Sequence, residues 1–145
     1  MNVNEKGSIG LVEVIRDLTR KGYEIFVPLH DYSAIDVIAI NKEFKIIKLQ
    51  VKYRETYRGV IEVHFRSMVN GKAVAIDFDA IDGWAVYCPE VDCVVYVNKS
   101  DVDISKGGFS FRLSPGSNSV NISKTKRKIY TEFSELDEWF KSAPC

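Results

Sequence analysis

The sequence predicts an α/β fold, an α+β arrangement built on a mixed sheet, and three observations carry that prediction. A helix-period amphipathic segment opens the chain, short apolar runs punctuated by Asn, Gly and Pro follow, and a second, shorter helical pattern closes it. A chain of 145 residues, 46% hydrophobic and 12% aromatic, can bury a core without disulfide or metal staples. One domain spanning residues 1–145 is therefore expected.

The opening pattern is Ile9, Val12, Ile15 and Leu18, with Leu11 and Val14 filling in and Lys21-Gly22 as the stop, which predicts a helix over 6–20. Residues 23–29 read as a strand ending at Pro28, and 31–34 as a turn. Residues 35–40 and 45–53 read as two strands joined by a hairpin-length link at 41–44. Beyond a Tyr- and Arg-rich turn at 54–59, residues 60–68 and 73–78 form a second hairpin about Asn70-Gly71, a pair that favours a tight turn. Residues 84–88 and 93–97 form a third pair about Pro89-Glu90. The stretch 105–125, rich in Gly, Ser, Asn and Pro, reads as a loop or arm interrupted by the apolar residues 109–113. Ser134 suits an N-cap for a short closing helix over 134–141, with Leu136, Trp139 and Phe140 on one side.

Cys88, Cys93 and Cys145 match no zinc spacing, which points to reduced thiols. The polar stretch 1–10 offers no signal or transit peptide, and no apolar run approaches membrane-spanning length. A cytoplasmic protein with no membrane partner is expected. Lys plus Arg equals Asp plus Glu at 20 each, which by itself disfavours a polyanionic partner. The charges are segregated, however: residues 45–72 carry seven basic and two acidic groups, 73–103 one and seven, and 105–131 six and none. Such blocks predict a bipolar surface unless they interleave in space and cancel.

The alternation Lys48-Leu49-Gln50-Val51-Lys52-Tyr53 puts Lys48, Gln50 and Lys52 on one face of a strand. With the turn near 41–45, hairpin register brings Asp36 opposite or diagonal to Gln50. One carboxylate, one amide oxygen and one ammonium then converge. Asp36, the Gln50 amide oxygen and the Val51 backbone carbonyl are hard oxygen donors suited to Mg²⁺, and Lys52 is placed to stabilise charge building on a reacting phosphate. A neutral Gln50 where an acid would hold metal better predicts a weak site that fills with DNA present.

Together, Ile35-Asp36 on one strand and Leu49-Gln50-Val51-Lys52 on the next resemble the PD-(D/E)XK nuclease motif in its D…QxK form. The wider pattern resembles the group I intron-encoded homing endonucleases of cyanobacterial type. It includes Lys6-Gly7, Lys21-Gly22-Tyr23, Val27-Pro28-Leu29, Ala85-Val86-Tyr87-Cys88-Pro89 and Phe111-Arg112-Leu113 with a later basic stretch. The resemblance implies a restriction-endonuclease-like core with added DNA-contacting hairpins, and Mg²⁺-dependent double-strand cleavage of a long duplex DNA site by a homodimer or homotetramer. It implies Asp36, Gln50 and Lys52 as active-site residues, with Mn²⁺ as an alternative ion and Ca²⁺ as a non-catalytic substitute. Two departures stand out. Ala34-Ile35-Asp36 lacks the Pro that names the motif, and relatives often carry a helix Glu where this chain has Gly10 and Leu11. Glu13, one turn on, is the substitute this reading assigns.

Candidate base-reading contacts are Arg54, Tyr57, Arg58 and Arg66, on or beside a ribbon of the width a major groove accepts. Arg112, Lys124, Lys126, Arg127 and Lys128 are better suited to phosphate. Each residue taken singly has a plainer reading: Asp36 as a local cap, Gln50 and Lys52 as a solvated strand face, Glu13 as a solvent-facing helix acid, and Asp77, Asp79 and Asp82 as a solvated turn. His30 and His64 have no identifiable catalytic partner. The rivals to a homing enzyme are a Holliday-junction resolvase or repair nuclease of the same fold, and a non-catalytic DNA-binding module.

Overall fold

The computed structural model describes residues 1–69, 71–113, 135, 136 and 139. Helix α1 spans Val3–Arg20, three residues longer than the apolar periodicity predicts. The extension comes from a capping box: Glu5 N donates to Asn2 Oδ1 at 2.9 Å, and Asn2 N to Glu5 Oε2 at 2.8 Å. The helix buries Gly10, Val14 and Leu18. Gly10 is small for a reason, because a Cβ there would stand 3.2 Å from the Tyr53 Cβ of the strand beneath.

Five strands form the central sheet: β1 (Glu24–Phe26), β2 (Val37–Ile40), β3 (Ile46–Tyr53), β7 (Gly83–Cys88) and β8 (Cys93–Asn98), in the order β1-β2-β3-β7-β8. Only β3 and β7 run parallel; the other neighbours are antiparallel, so the sheet is mixed as predicted. The β2–β3 link holds because Asn41 Oδ1 accepts from both Glu43 N and Lys45 N at 2.9 Å. Strand β1 is shorter than residues 23–29. It ends before Pro28, which has no N–H for a ladder; residues 27–31 wall one cavity instead, and 31–34 another.

The predicted hairpin over 60–78 divides in two. Phe65 turns into the core, stacked on Trp84 at 5.1 Å between ring centroids and edge-on to Phe78 at 5.1 Å, and its N–H donates to Gly107 O. Strand β4 (Val60–His64) therefore pairs with β9 (Gly108–Arg112), while β5 (Arg66–Val69) and β6 (Lys72–Ala75) form the hairpin proper. Residues 108–112 are thus a structured strand, with Phe111 wholly buried, and not part of an arm. The remainder of the predicted arm from 114 on, and most of the closing helix, lie outside the described residues; within that helix Leu136 is buried against the α1 side of the sheet.

The alternation along the strands separates two cores. Val37, Ala39, Ile47, Leu49 and Ala85 meet α1 on one face. Trp84, Val86, Val95 and Val97 meet Ile61, Val63, Phe65 and Phe111 from β4 and β9 on the other. Asp17 accepts from the Tyr96 hydroxyl and fastens α1 to β8. Asp82, read as part of a solvated turn, instead accepts from Lys48 N at 2.8 Å and so stitches the start of β7 to β3. Cys88 and Cys93 are register partners and free, and burial raises the Cys88 thiol to about 12. Among the described residues, no helix is long and apolar enough to cross a membrane.

Gly83 tests this packing. A Cβ there would lie 2.2 Å from Val97 O, so Gly83→Ala must push β7 from β8. Chemical denaturation is expected to show a loss on the order of 3 kcal/mol, with m unchanged.

Candidate active site

Strand β3 pairs with β2 only as far as Leu49 and with β7 from Leu49 to Tyr53. Past Leu49 the edge of β3 that faced β2 is left open, and Asp36 fills the gap. Its N–H donates to Leu49 O at 2.9 Å, and its carboxylate Oδ2 accepts from Val51 N at 2.7 Å. Register places Asp36 across from Gln50, as the hairpin reading predicts, and Asp36, Gln50 and Lys52 together line a cavity of about 440 Å³.

The local-cap reading of Asp36 is partly right, since one oxygen is spent on Val51. The solvated-face reading of its partners is not. Gln50 is 3% exposed and is the one buried polar side chain among the described residues. Its Oε1 accepts from Trp84 Nε1 at 3.2 Å, across the parallel β3–β7 register. An indole N–H only donates, so Trp84 fixes which end of the amide is oxygen. Trp84 is itself immobilised against Phe65, Phe78 and Phe109.

Burial sets the electrostatics. It pushes the Asp36 carboxyl above its ordinary value, opposed by the Val51 N–H and the Lys52 charge, with the Asp31 charge adding to the rise. Burial likewise lowers the Lys52 ammonium, with Arg54 adding and Asp36 opposing. The donors fit a hard divalent ion: a carboxylate, an amide oxygen and the Val51 carbonyl, with no thiolate or imidazole. No group of three or more His, Cys, Asp or Glu suited to a metal occurs among the described residues.

Other predicted residues fall elsewhere. Glu13 bonds Arg16 at 3.3 Å and has Tyr87 in its electrostatic range, and it lines neither cavity that reaches Asp36. The α1 face turned toward the site instead presents Asn4, Gly7, Ser8 and Leu11, which wall a second cavity of about 540 Å³. Position 13 points away because two residues past Leu11 is about 200° round the helix, on the opposite side from that face.

Arg54 is spent on structure, its Nε donating to Glu62 O at 3.1 Å and its Nη1 to Tyr53 O at 2.8 Å. Tyr57 and Arg58 stand at a two-residue turn, with φ of 52° at Arg58 and 75° at Gly59, and the guanidinium lies 5.3 Å from the Tyr57 ring centroid. Arg112 is opposite Val60 beside that turn, and Arg66 is exposed where β5 begins. Lys124, Lys126, Arg127 and Lys128 lie outside the described residues. Trp84, the loop carrying Asp31, and the β6 end at 74–77 also belong to the site and are not identified by sequence reading.

No curated protein matches this chain. Among solved structures, a bacterial homing endonuclease, I-Ssp6803I, superimposes with a TM-score of 0.62 at 19% identity, covering 86% of each chain; the likeness is one of fold. The model of the PD-(D/E)XK endonuclease family matches residues 1–131. The chain belongs to the PD-(D/E)XK endonuclease family.

Proposed function

We propose that this protein is a Mg²⁺-dependent, site-specific DNA endonuclease that makes double-strand breaks in a long duplex target, in the manner of intron homing. The observation that carries the reading is the convergence of Asp36, Gln50 and Lys52 on one cavity at the open edge of β3. Asp36, the Gln50 Oε1 and the Val51 carbonyl would hold the ion, for which Mn²⁺ is an alternative and Ca²⁺ an inactive substitute. The ion, when bound, supplies phosphate polarisation and a more acidic water.

The chain's own residues do the rest. Lys52 meets the scissile phosphate with a fixed charge that burial keeps from bulk water. Asp36 is held by the Val51 N–H and lines the cavity. Trp84 fixes the Gln50 amide. Since Gln50 Oε1 already accepts from Trp84, it offers a metal only one lone pair, which supports a weak site completed by DNA. For DNA contact, Arg66 is exposed at the start of the β5–β6 ribbon, opposite Ala75 of the cavity wall, and Tyr57, Arg58 and Arg112 form a basic tip at the turn beside β4 and β9. A long site exceeds one chain's reach, which supports a homodimer or homotetramer, each chain acting as one domain in the cytoplasm.

A competition between four-way junctions and a duplex library tests the substrate. Preference for a duplex sequence is expected; preference for junctions would replace homing by resolution. Trp84→Phe, which keeps the ring stack but removes the N–H, is expected to lower kcat about ten-fold and raise the Mg²⁺ concentration for half-activity, a size typical of groups that orient a metal ligand. Unchanged metal dependence would assign Trp84 to packing alone.

A further inference from the structure

Two cavities meet at the site, one between α1 and residues 27–31 and one beneath β6, and only two residues line both of them: Asp36 and Asp31. We propose that Asp31 is the second carboxylate of the metal site, entering from the β1–β2 loop in place of a helix acid. The proposal rests on the reading of Asp36 as a metal ligand and extends it.

A hard divalent ion seeks anionic oxygen, and the β2–β3 edge alone offers a single carboxylate. Gln50 is neutral, buried and shared with Trp84. The helix contributes none, since Asn4, Gly7, Ser8 and Leu11 face the cavity. The remaining carboxylates in reach are Asp31 and Asp77. Asp77 lines only the cavity beneath β6, not the other one that Asp31 and Asp36 also line, and its Oδ1 accepts from Asp79 N at 3.0 Å within its own turn. Asp31 is exposed and makes no hydrogen bond or ion pair among the described residues, yet its charge acts on Asp36. Two carboxylates brought together with nothing bridging them repel, and a shared cation turns that repulsion into attraction. The loop is stiffened on both sides of Asp31, by His30 against Tyr32 with ring centroids 5.3 Å apart and by Ile35 N donating to Ser33 Oγ at 3.2 Å. Two carboxylates balance the ion's charge, leaving Lys52 to meet the phosphate.

The test is Mn²⁺ binding to the full-length wild type and to Asp31→Asn, Asp36→Asn and Asp77→Asn, read from the free-ion EPR signal with and without a random duplex, with melting midpoints as a control for folding. Asp31→Asn is expected to bind Mn²⁺ at least about ten-fold more weakly at an unchanged midpoint, Asp36→Asn to lose binding, and Asp77→Asn to bind like wild type. Wild-type affinity in Asp31→Asn beside loss in Asp36→Asn would overturn the role of Asp31 while sparing the metal site. So would weakening confined to Asp77→Asn. Wild-type binding by Asp36→Asn, or none by the wild type in either condition, would overturn the underlying reading itself.

Discussion

Lys52→Met is expected to cut DNA cleavage by about 10²–10³-fold while the protein melts at the same temperature or higher. The ammonium sits in a half-buried position with no hydrogen bond or ion pair among the described residues, and burial lowers its pKa from the usual 10.5. Methionine keeps most of the apolar stem and removes the charge that the fold resists. The sign of the pH dependence follows. A depressed folded-state pKa means that the charged form costs stability below that pKa, and the cost fades as pH rises from the folded value toward 10.5. The gain of Lys52→Met over wild type should therefore be present at neutral pH and vanish in that alkaline window. Thermal melts across pH, paired with cleavage rates, check both halves. A variant that cleaves normally would remove Lys52 from the chemistry.

Asp36→Asn is expected to have an effect on cleavage at least as large, with a second signature. Asparagine can still accept from Val51 N, but as a neutral amide it holds a divalent cation far more weakly than a carboxylate. Because burial raises the Asp36 pKa above 3.8, its neutral form is favoured by folding; that stability is complete below 3.8 and is lost as pH rises through the folded value. Without metal, Asp36→Asn should thus melt above wild type at neutral pH, and the difference should close as pH falls toward 3.8. Added Mg²⁺ should raise the wild-type midpoint by mass action and leave Asp36→Asn unmoved. A stability advantage for the inactive variant is the pattern of a site whose charges are kept for function at a cost to the fold.

The local features of the fold were legible in the sequence. Apolar periodicity located α1, the Asn41 link set the β2–β3 register, and that register brought Asp36 to Gln50. The capping box at Asn2 and Glu5 was equally readable and accounts for the three missed helical residues. What could not be read is non-local. Nothing in residues 54–82 announces that β7 returns parallel to β3, so Trp84 could not be recognised as the donor to Gln50. The fate of Phe65 depended on a partner more than forty residues away in β9, which is why one hairpin became two pairings. Loop residues such as Asp31 carry no periodicity and are placed by the walls around them. Glu13 illustrates the limit on the helix: periodicity locates α1 but not which of its residues face the site, and Glu13 pairs with Arg16 while the face toward the site carries no acid.

The central claim is that the β2–β3 edge hydrolyses DNA with a divalent ion, and cleavage of a randomised duplex library by wild type, Asp36→Asn and Lys52→Met in Mg²⁺, Mn²⁺ and Ca²⁺ tests it most directly. Cleavage by the wild type in Mg²⁺ and Mn²⁺, its absence in Ca²⁺, and its loss in both variants at retained fold is the predicted result. Undiminished cleavage by folded Asp36→Asn and Lys52→Met would contradict it.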